Sequence, residues 1–544
     1  MAALSDLGDQ EVAGETREAW AKHCSRDSVD ATELRAALSA GSLPEAFAAT
    51  ARRVPEAPAI TVHHRTVAHG ELDELAGRYA SGLEHLGVDA GSRVLLISEV
   101  GVEEIAAYLA VLRVGATAVL ANPALTALEI VGLHEKAGSE WLFGSGPALA
   151  SAAGSGAADF RAVVGLRPDD KAVTSVLIGE IDRDFKPPTP TDPGSAAVLA
   201  FTSGTTGAAK PSPLSHTNLL ASVRSAMVAW RWSERDHLVH SLPISHQHGL
   251  SGIHATLLSG SHITLLGAFD ADRTIQTVVD GGASVHFGVP TIYGRLLEAL
   301  GAGLSAMRGL RLATSGSGPL PIELAERYRD RVGSALLERY GTTESGLNIS
   351  NPYDGDRVAG SVGFPLPGVE VAAVKPDGTF CDLDEIGEIV IRGPQVFAGY
   401  EGVSDADQPF FGGWFRTGDL GARNPENGYF RILGRTKEVI ITGGMNVYPR
   451  EVEEVLRGHP EVTDAIVLGV ESPAWGEEVV AVVSPATVDT ANLSTYLSER
   501  LAGYKRPKRT LAVDDVPRTS VGKVNADAVR SLIGGARSGP TETE

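Results

Sequence analysis

From residue 43 to about residue 190, the chain alternates short apolar runs with amphipathic patterns of helical period. Val94–Ile97 has the length of a strand, and Val102–Leu112 repeats apolar residues at helical spacing. This alternation is typical of a parallel sheet covered by helices. The Gly/Ala/Ser-rich segment Ala148–Ala158 and the proline-rich segment Lys186–Pro193 are predicted to be loops. The sequence therefore predicts an α/β fold.

The pattern changes toward the C-terminus. Alternating residues in Glu388–Ile391 and Phe430–Leu433 predict short, half-buried strands of a β-rich subdomain. A new series of helix and strand patterns starts near residue 434 and predicts a small α+β domain. We expect an N-terminal appendage (residues 1–41), a large domain (42–434), a small C-terminal domain (435–533) and a flexible tail (534–544).

Charge and cysteine content restrict the partners and the compartment. The chain has 68 acidic and 47 basic residues and a formal net charge of −21, which argues against a nucleic-acid partner. Cys24 and Cys381 are too few for a disulfide framework or a four-cysteine metal site. The first residues lack the pattern of a secretion signal, and the longest uncharged run carries five histidines. We therefore expect a cytoplasmic protein without a membrane span.

A segment rich in glycine and hydroxyl groups follows the apolar run Ala196–Phe201. Its members are Thr202, Ser203, Gly204, Thr205, Thr206 and Gly207, and Lys210 closes the segment. Such residues supply turns, hydroxyl donors and a cation, which suit polyphosphate oxygens. The spacing is not that of a Walker loop, because Lys210 stands three residues after Gly207 and precedes Pro211. A flexible connector would have a similar composition.

Five ordered motifs resemble those of the adenylate-forming enzymes, a family that includes acyl-CoA synthetases, adenylation domains and luciferases. They are Thr202–Lys210, Tyr340–Glu344, Thr417–Asp419, Gly434–Glu438 and Pro517–Lys523. The resemblance covers residues 43–532 and implies layered α/β subdomains with a β-rich subdomain, followed by a small mobile α+β domain. It also implies an AMP-forming acyl-CoA ligase that uses ATP and Mg²⁺ to activate a carboxylic acid and transfers the acyl group to coenzyme A.

The resemblance also implies roles for single residues. Thr202–Lys210 would hold the β- and γ-phosphates, Thr343 would contact the α-phosphate, and Glu344 would bind Mg²⁺. Lys523 would bridge the carboxylate and the α-phosphate, where negative charge builds up during the reaction. The remaining nucleotide-binding residues would be Gly316, Ser317, Gly318, Tyr340, Gly341, Thr342, Asp419 and Arg435.

Each of these residues also has an ordinary interpretation. Asp419 could be a turn aspartate, Glu344 could cap a helix, and Lys523 could be an exposed loop cation.

The resemblance further implies a swivelling C-terminal domain. Lys437 matches the hinge residue, although an exposed lysine at a strand end would look the same. Gly443 and Gly444 would pack against the pantetheine arm of coenzyme A, or form only a tight turn.

Among the family's branches, the chain resembles the malonyl-CoA synthetases through Leu337–Gly341, Asn351–Arg357 and His246–Leu250. The expected acyl pocket consists of Ser245, His246, His248, Ser251, Gly252 and Arg311. Ser245, Ser251, Gly252, Gly318 and Thr342 are smaller than is usual in that branch, which predicts an acid bulkier than malonate. Arg311 is a candidate partner for a second carboxylate. No carboxylate or cysteine accompanies the histidines at metal-ligand spacing, so we expect no metal there.

The phosphate segment departs from the family at Ala209 and Pro211, where proline usually precedes the lysine and glycine follows it. Because proline has no N–H, a hydrogen bond could be lost there. This suggests impaired adenylation and use of a preformed acyl-adenylate supplied by a separate enzyme. The sequence is also compatible with a malonyl-CoA synthetase, with an adenylation enzyme that loads a carrier protein, and with a nucleotide-binding pseudoenzyme. It predicts no oligomeric state.

Overall fold

The computed structural model describes residues 16–24, 30–97, 99–154, 160–172, 174, 176–181, 184–202, 210–299, 307–472, 475–518 and 524–535. Two large sheets and their covering helices form the body, and two smaller sheets follow along the chain. The predicted α/β class, with a large N-terminal part and a smaller C-terminal part, is confirmed.

The first large sheet has nine strands. In sheet order they are Phe364–Pro365, Gly346–Ser350, Leu337–Thr342, Leu312–Ser315, Val285–Gly288, His237–His240, His262–Leu265, Pro58–Val62 and Arg65–Ala68. The strands from Leu337–Thr342 to Pro58–Val62 run parallel to their neighbours. Their carboxyl ends therefore meet at one edge of the sheet, where open α/β sheets usually bind ligands.

The second large sheet has seven strands. In sheet order they are Val176–Leu177, Ala162–Gly165, Trp141–Gly144, Arg93–Ile97, Thr117–Ala121, Ala196–Thr202 and Lys210–Ser215. The last two strands are antiparallel, and the glycine- and hydroxyl-rich segment connects them.

Amphipathic helices cover both sheets, as the alternating sequence predicts. They are Leu43–Arg53, His69–His85, Val102–Arg113, Ala127–Ala137, Gly146–Gly154, His216–Ala229, Gln247–Ser259, Ala271–Gly281, Pro290–Ala299 and Ile322–Val332. The prediction of a loop over Ala148–Ala158 was wrong for its first part, which belongs to the helix Gly146–Gly154. Alanine favours helices, and Leu149 and Ala152, three residues apart, are buried on one face. Residues 155–159 lie outside the described part of the chain.

The third sheet is antiparallel and contains Glu370–Val374, Gly387–Arg392, Trp414–Arg423, Phe410–Phe411 and Phe430–Arg435. The fourth contains Met445–Val447, Ile440–Thr442, Gly476–Ser484, Asp464–Ser472 and Arg509–Ala512, with the helices Pro449–Arg457, Thr490–Ser498 and Ala526–Gly535. The fourth sheet and its helices have apolar clusters separate from the core of the body. The boundary near residue 434 falls between these cores and stays a prediction, as do the other domain limits; residues 536–544 of the tail are not described.

The N-terminal segment packs on the body. It contains a helical stretch over residues 16–24 and the helix Ala31–Ser39. Trp20 is 1% exposed and donates its indole N–H to the Val369 carbonyl over 2.9 Å. Arg35 forms an ion pair with Glu370. These helices therefore pack against the start of the strand Glu370–Val374, which belongs to the third sheet.

Candidate active site

A polar network around the buried Asp419 carboxylate joins the first and third sheets. Tyr340 Oη donates to Asp419 Oδ2 over 2.5 Å, and Arg435 Nε lies 3.0 Å from Asp419 Oδ1. Asp419 and Arg435 face each other in register on paired strands, so Asp419 is more than a turn aspartate. Burial raises the pKa of Asp419, while the Arg435 charge and the Tyr340 hydrogen bond act in the opposite direction. Each oxygen of this carboxylate is thus fixed by a donor.

Glu344 lies close to this network, in the turn between the strands Leu337–Thr342 and Gly346–Ser350, and caps no helix. Tyr400 Oη donates to Glu344 Oε1 over 2.7 Å. Lys210 Nζ lies 5.1 Å from the centre of the Tyr400 ring, so the end of the phosphate segment reaches the same place.

This arrangement fits Mg²⁺, which prefers a few carboxylate oxygens completed by phosphate and water. Within the described ranges, no group of three or more His, Cys, Asp or Glu residues could hold a metal alone. The protein would therefore contribute Glu344, and the nucleotide would contribute further oxygens.

The loop Gly316–Gly318 follows the carboxyl end of the strand Leu312–Ser315. A Cβ atom on Gly316 would lie 2.5 Å from the guanidinium carbon of Arg339, so a larger residue would collide with it. Ser317 adopts a φ of 65° and places its Oγ 3.3 Å from His248 Nδ1. The predicted adenine loop and the His246–Leu250 segment are thereby brought together.

The structure describes only some of the other residues that are predicted to bind the nucleotide. Gly341 and Thr342 end the strand that carries Tyr340, Thr342 Oγ1 lies 2.9 Å from Ser345 Oγ, and Thr343 follows in the turn. Thr202 pairs in register with Lys210. The positions outside the described residues are the Thr202 side chain and Ser203, Gly204, Thr205, Thr206, Gly207, Ala209 and Lys523.

One of the predicted pocket positions, Gly252, does not provide open volume. A Cβ atom on Gly252 would lie 2.9 Å from Leu238 Cδ2 and 3.2 Å from His240 Cε1. Ser251 Oγ donates to the His248 carbonyl of its own helix over 2.9 Å. The small residue at position 252 therefore accommodates His240 and Leu238, and the size argument fails there. Ser245 and His246 precede the helix Gln247–Ser259, at the carboxyl edge of the sheet.

Arg311 lies away from the predicted pocket. It precedes the strand Leu312–Ser315, at the amino end of the parallel strands. Its Nε and Nη2 atoms contact Asp236 Oδ1 and Oδ2, each over 2.6 Å. Arg311 thus has a buried protein carboxylate as its partner and does not face the acyl side.

The predicted hinge and glycine turn follow Arg435 in the chain. Lys437 is exposed in the short 3-10 helix Thr436–Glu438. Gly443 and Gly444 have φ values of 57° and 79°, which only glycine adopts readily, and connect Ile440–Thr442 to Met445–Val447. Gly443 N donates to the Trp475 carbonyl over 2.8 Å. The turn is therefore a structural requirement, whatever else it contacts.

Pro211 lies on the strand Lys210–Ser215, at the edge of the seven-stranded sheet. Proline is tolerated at a sheet edge when its nitrogen points away from the neighbouring strand. The Pro211 carbonyl accepts the Glu401 N–H over 3.0 Å, so this residue is bonded on its outer side. The strand Lys210–Ser215, which follows the phosphate segment, is thus held in the sheet by backbone hydrogen bonds, although Pro211 has no N–H.

Tyr400 and the buried Arg339 were not singled out in the sequence. Tyr400 belongs to none of the five motifs. Arg339 lies in the segment Leu337–Gly341, which carries only the branch resemblance. No local sequence signal marks Tyr400, because its partners lie 56 and 190 positions away in the chain.

Sequence comparison agrees with this geometry. Residues 47–401 match the profile of the AMP-binding enzymes, and residues 451–523 match the profile of their C-terminal domain. The chain belongs to the AMP-binding enzyme family. The adenylate-forming resemblance is thus confirmed.

Named relatives of this AMP-binding enzyme are CoA ligases. Mitochondrial malonate–CoA ligase of Mus musculus is 34% identical over 63% of this chain and 66% of its own length. Feruloyl-CoA synthase of Amycolatopsis sp is 32% identical over 89% of this chain and 97% of its own length. The crystal structure of ATP-bound MatB from Rhodopseudomonas palustris has a TM-score of 0.82 at 34% identity and covers 90% of this chain and 98% of that one. The chain spans 60–66% of the length of three further plant and animal matches. In the described ranges, no helix has both the length and the apolar character needed to cross a bilayer.

Proposed function

We propose that this chain is an AMP-forming acyl-CoA ligase that converts a carboxylic acid, ATP and coenzyme A into an acyl-CoA. The Tyr340–Asp419–Arg435 network, with its buried carboxylate and with Glu344 beside it, carries this proposal. Asp419 provides a carboxylate of fixed orientation, and Glu344 provides a second carboxylate for another part of the ligand. Both lie at the carboxyl edge of the first sheet, where the family binds nucleotides. The cytoplasmic location predicted from the cysteine content is part of the proposal.

In this reaction, Asp419 accepts hydrogen bonds from the ribose hydroxyls, and Arg435 and Tyr340 keep its carboxylate oriented. The Gly316–Gly318 loop frames adenine together with Tyr340, Gly341 and Thr342. Thr343 contacts the α-phosphate.

Glu344 and Lys210 act at the phosphates. Glu344 would hold Mg²⁺, which when bound would screen the phosphate charge. Lys210 adds a positive charge next to Tyr400, and Thr202–Gly207 supply hydroxyl and amide donors. Lys523 neutralises charge between the carboxylate and the α-phosphate during adenylation.

The thioester step requires a second arrangement of the C-terminal domain. Lys437 serves as its hinge, since it lies two residues after the nucleotide-binding Arg435. The Gly443–Gly444 turn then faces the pantetheine arm of coenzyme A. The domain alternation that joins the two half-reactions is part of the same proposal.

We infer an acid bulkier than malonate. Gly318 supports this inference, since a Cβ atom there would have no neighbour within 4 Å among the described residues. Ser245 is also small, whereas the packing around Gly252 and Ser251 gives the inference no support.

The edge position of Pro211 removes one physical reason to expect impaired adenylation, so the chain is proposed to catalyse both half-reactions. The retained carboxylate at Glu344 argues in the same direction and against a nucleotide-binding pseudoenzyme.

A panel of acids, assayed with ATP, Mg²⁺ and coenzyme A, tests the proposal through acid-dependent pyrophosphate release and acyl-CoA formation. Lys523→Ala should lower adenylation by 100-fold or more, on the order of two to three lost charge-assisted contacts, and should spare thioester formation from a supplied acyl-adenylate. Lys375→Ala is the control, because Lys375 pairs with Glu385 at the surface. No pyrophosphate release with any acid, or transfer to a carrier protein but not to coenzyme A, would contradict the proposal.

A further inference from the structure

The backbone around Tyr400 ties the two large sheets together. The Phe397 N–H donates to the Glu344 carbonyl over 2.8 Å, in a turn of the first sheet. The Glu401 N–H donates to the Pro211 carbonyl over 3.0 Å, on the edge strand of the second sheet. Tyr400 therefore lies between the turn that carries Glu344 and the strand that follows the phosphate segment.

Contacts other than those of its hydroxyl fix the position of Tyr400. The Gln408 side chain accepts the Tyr400 N–H over 2.8 Å and donates to the Tyr400 carbonyl over 2.8 Å. The Tyr400 ring packs edge-on against Phe397, with 4.9 Å between the ring centres. Arg93, on a strand of the second sheet, donates to both carboxylate oxygens of the neighbouring Glu401 over 2.8 and 2.9 Å. The ring would therefore keep its place if the hydroxyl were removed.

Tyr400 contacts two residues of opposite charge and neutralises neither. Its Oη donates to Glu344 Oε1 over 2.7 Å, and Lys210 Nζ lies 5.1 Å from the centre of its ring. A hydrogen bond from a hydroxyl restricts the rotation of a carboxylate but leaves its negative charge, and a cation over a ring keeps its positive charge. An ion pair with either residue would instead offset that charge. One side chain thus fixes both the carboxylate that would hold Mg²⁺ and the lysine of the phosphate segment.

We propose that Tyr400 is a positioning residue for adenylation: its hydroxyl orients the Glu344 carboxylate to receive Mg²⁺, and its ring keeps Lys210 beside the phosphates. This inference rests on the proposed acyl-CoA ligase function and on Glu344 as the metal ligand. Mg²⁺ is bound together with the triphosphate, whereas the acyl-adenylate of the second half-reaction carries a single phosphate. The contribution of Tyr400 therefore belongs to the first half-reaction.

Calorimetric titration with α,β-methylene-ATP at a series of Mg²⁺ concentrations tests the hydroxyl without turnover. Tyr400→Phe should raise the Mg²⁺ concentration that gives half of the metal's effect on binding by about 10-fold, which corresponds to one hydrogen bond to a charged group. The affinities for AMP, and for the analogue in EDTA, should stay within about twofold of the wild type. Tyr400→Leu should also weaken binding of the metal-free analogue about 3-fold, because Lys210 loses its aromatic partner.

A double variant separates positioning from a direct contact with the ligand. If Tyr400 acts through Glu344, Tyr400→Phe should cause no further shift of the Mg²⁺ dependence in the Glu344→Gln background. Tyr496→Phe is the matched control, because it removes a tyrosine hydroxyl on the helix Thr490–Ser498, which packs in the apolar cluster of the fourth sheet. This control should leave the Mg²⁺ dependence unchanged. In the single variant, ATP–pyrophosphate exchange should show the same Mg²⁺ shift, while kcat for thioester formation from a supplied acyl-adenylate stays within about twofold.

An unchanged Mg²⁺ dependence in Tyr400→Phe would overturn the proposal, and so would a shift that persists at full size beside Glu344→Gln. An equal loss of AMP and analogue binding, with and without Mg²⁺, would also overturn it, because Tyr400 would then only support the fold. Absence of acyl-CoA product with every acid is a different outcome. It contradicts the ligase function, while the calorimetry, which needs no acid, still decides the role of Tyr400.

Discussion

Glu338 makes a specific prediction about the pH dependence of stability. It is 4% exposed on the strand Leu337–Thr342, and its Oε1 accepts the Leu320 N–H over 3.2 Å, while Oε2 has no hydrogen-bond partner in the part of the chain that the structure describes. Burial raises the pKa of Glu338 from 4.5 to about 7, although the charge of Arg450 acts in the opposite direction. The native state therefore retains this proton at pH values where the unfolded chain has released it.

The sign follows from proton linkage. Between pH 4.5 and pH 7 the native state binds more protons at this residue than the unfolded state, so stability falls as the pH rises. The contribution of protonated Glu338 to the free energy of unfolding is fully present below pH 4.5 and is lost as the pH rises through about 7. At ~1.4 kcal/mol per pKa unit, the shift amounts to ~3 kcal/mol.

Glu338→Gln keeps the shape of the side chain but cannot ionise. The variant should match the wild type at pH 5 and exceed its free energy of unfolding by up to ~3 kcal/mol at pH 8. Urea unfolding at pH 5, 6, 7 and 8 measures this difference. Glu326→Gln is the control, because Glu326 is exposed on the helix Ile322–Val332 and should change stability by no more than ~0.5 kcal/mol at every pH.

Carboxylates far from residue 338 titrate alike in both proteins, so the difference reports on Glu338 together with Glu454, whose charge acts on it. A variant effect that is equal at pH 5 and pH 8 would show that Glu338 is ionised throughout, as an exposed glutamate would be. If the free energy of unfolding of the wild type increased relative to that of the variant as the pH rises, ionised Glu338 would be stabilised in the native state. Either result refutes the reasoning.

Three further predictions concern the site. Tyr340→Phe removes the donor to Asp419 and should weaken AMP binding about 10-fold, measured by calorimetry, whereas unchanged affinity would separate this network from the nucleotide. Arg311→Met should lower the free energy of unfolding by about 3–5 kcal/mol, because Asp236 stays buried without its partner, and a changed KM for the acid would place Arg311 in the pocket after all. Removing Mg²⁺ with EDTA should abolish ATP–pyrophosphate exchange but not AMP binding, and persistent exchange would contradict the role of Glu344.

The order of the motifs was sufficient to predict the fold class and to bring several residues to one edge. The motifs predicted three nucleotide-binding residues that the structure brings together. They are Tyr340, Asp419 and Arg435, and each lies within one of the five motifs. Their mutual hydrogen bonds could not be predicted, since Tyr340 and Asp419 are separated by 79 positions and belong to different sheets.

Predictions based on residue size were less successful for a physical reason. Gly252 suggests free volume only if no other part of the chain enters the space, and His240 from a neighbouring strand fills it. Arg311 suggests an anion site only if no protein carboxylate pairs with it, and Asp236 does so from 75 positions away. Both judgements depend on long-range packing, which composition and spacing do not encode.

The N-terminal helices limit where this protein can be cut or fused. A fragment that began at residue 42 would lose Trp20 and Arg35, leaving the Val369 carbonyl without its indole donor and Glu370 with Arg392 as its remaining cation. Burial of one large apolar side chain contributes about 1.5–3 kcal/mol, a substantial fraction of the stability of a typical domain. Expression trials and chimaeric proteins built on this scaffold should therefore retain the segment that carries Trp20 and Arg35, even though the five nucleotide motifs lie beyond it.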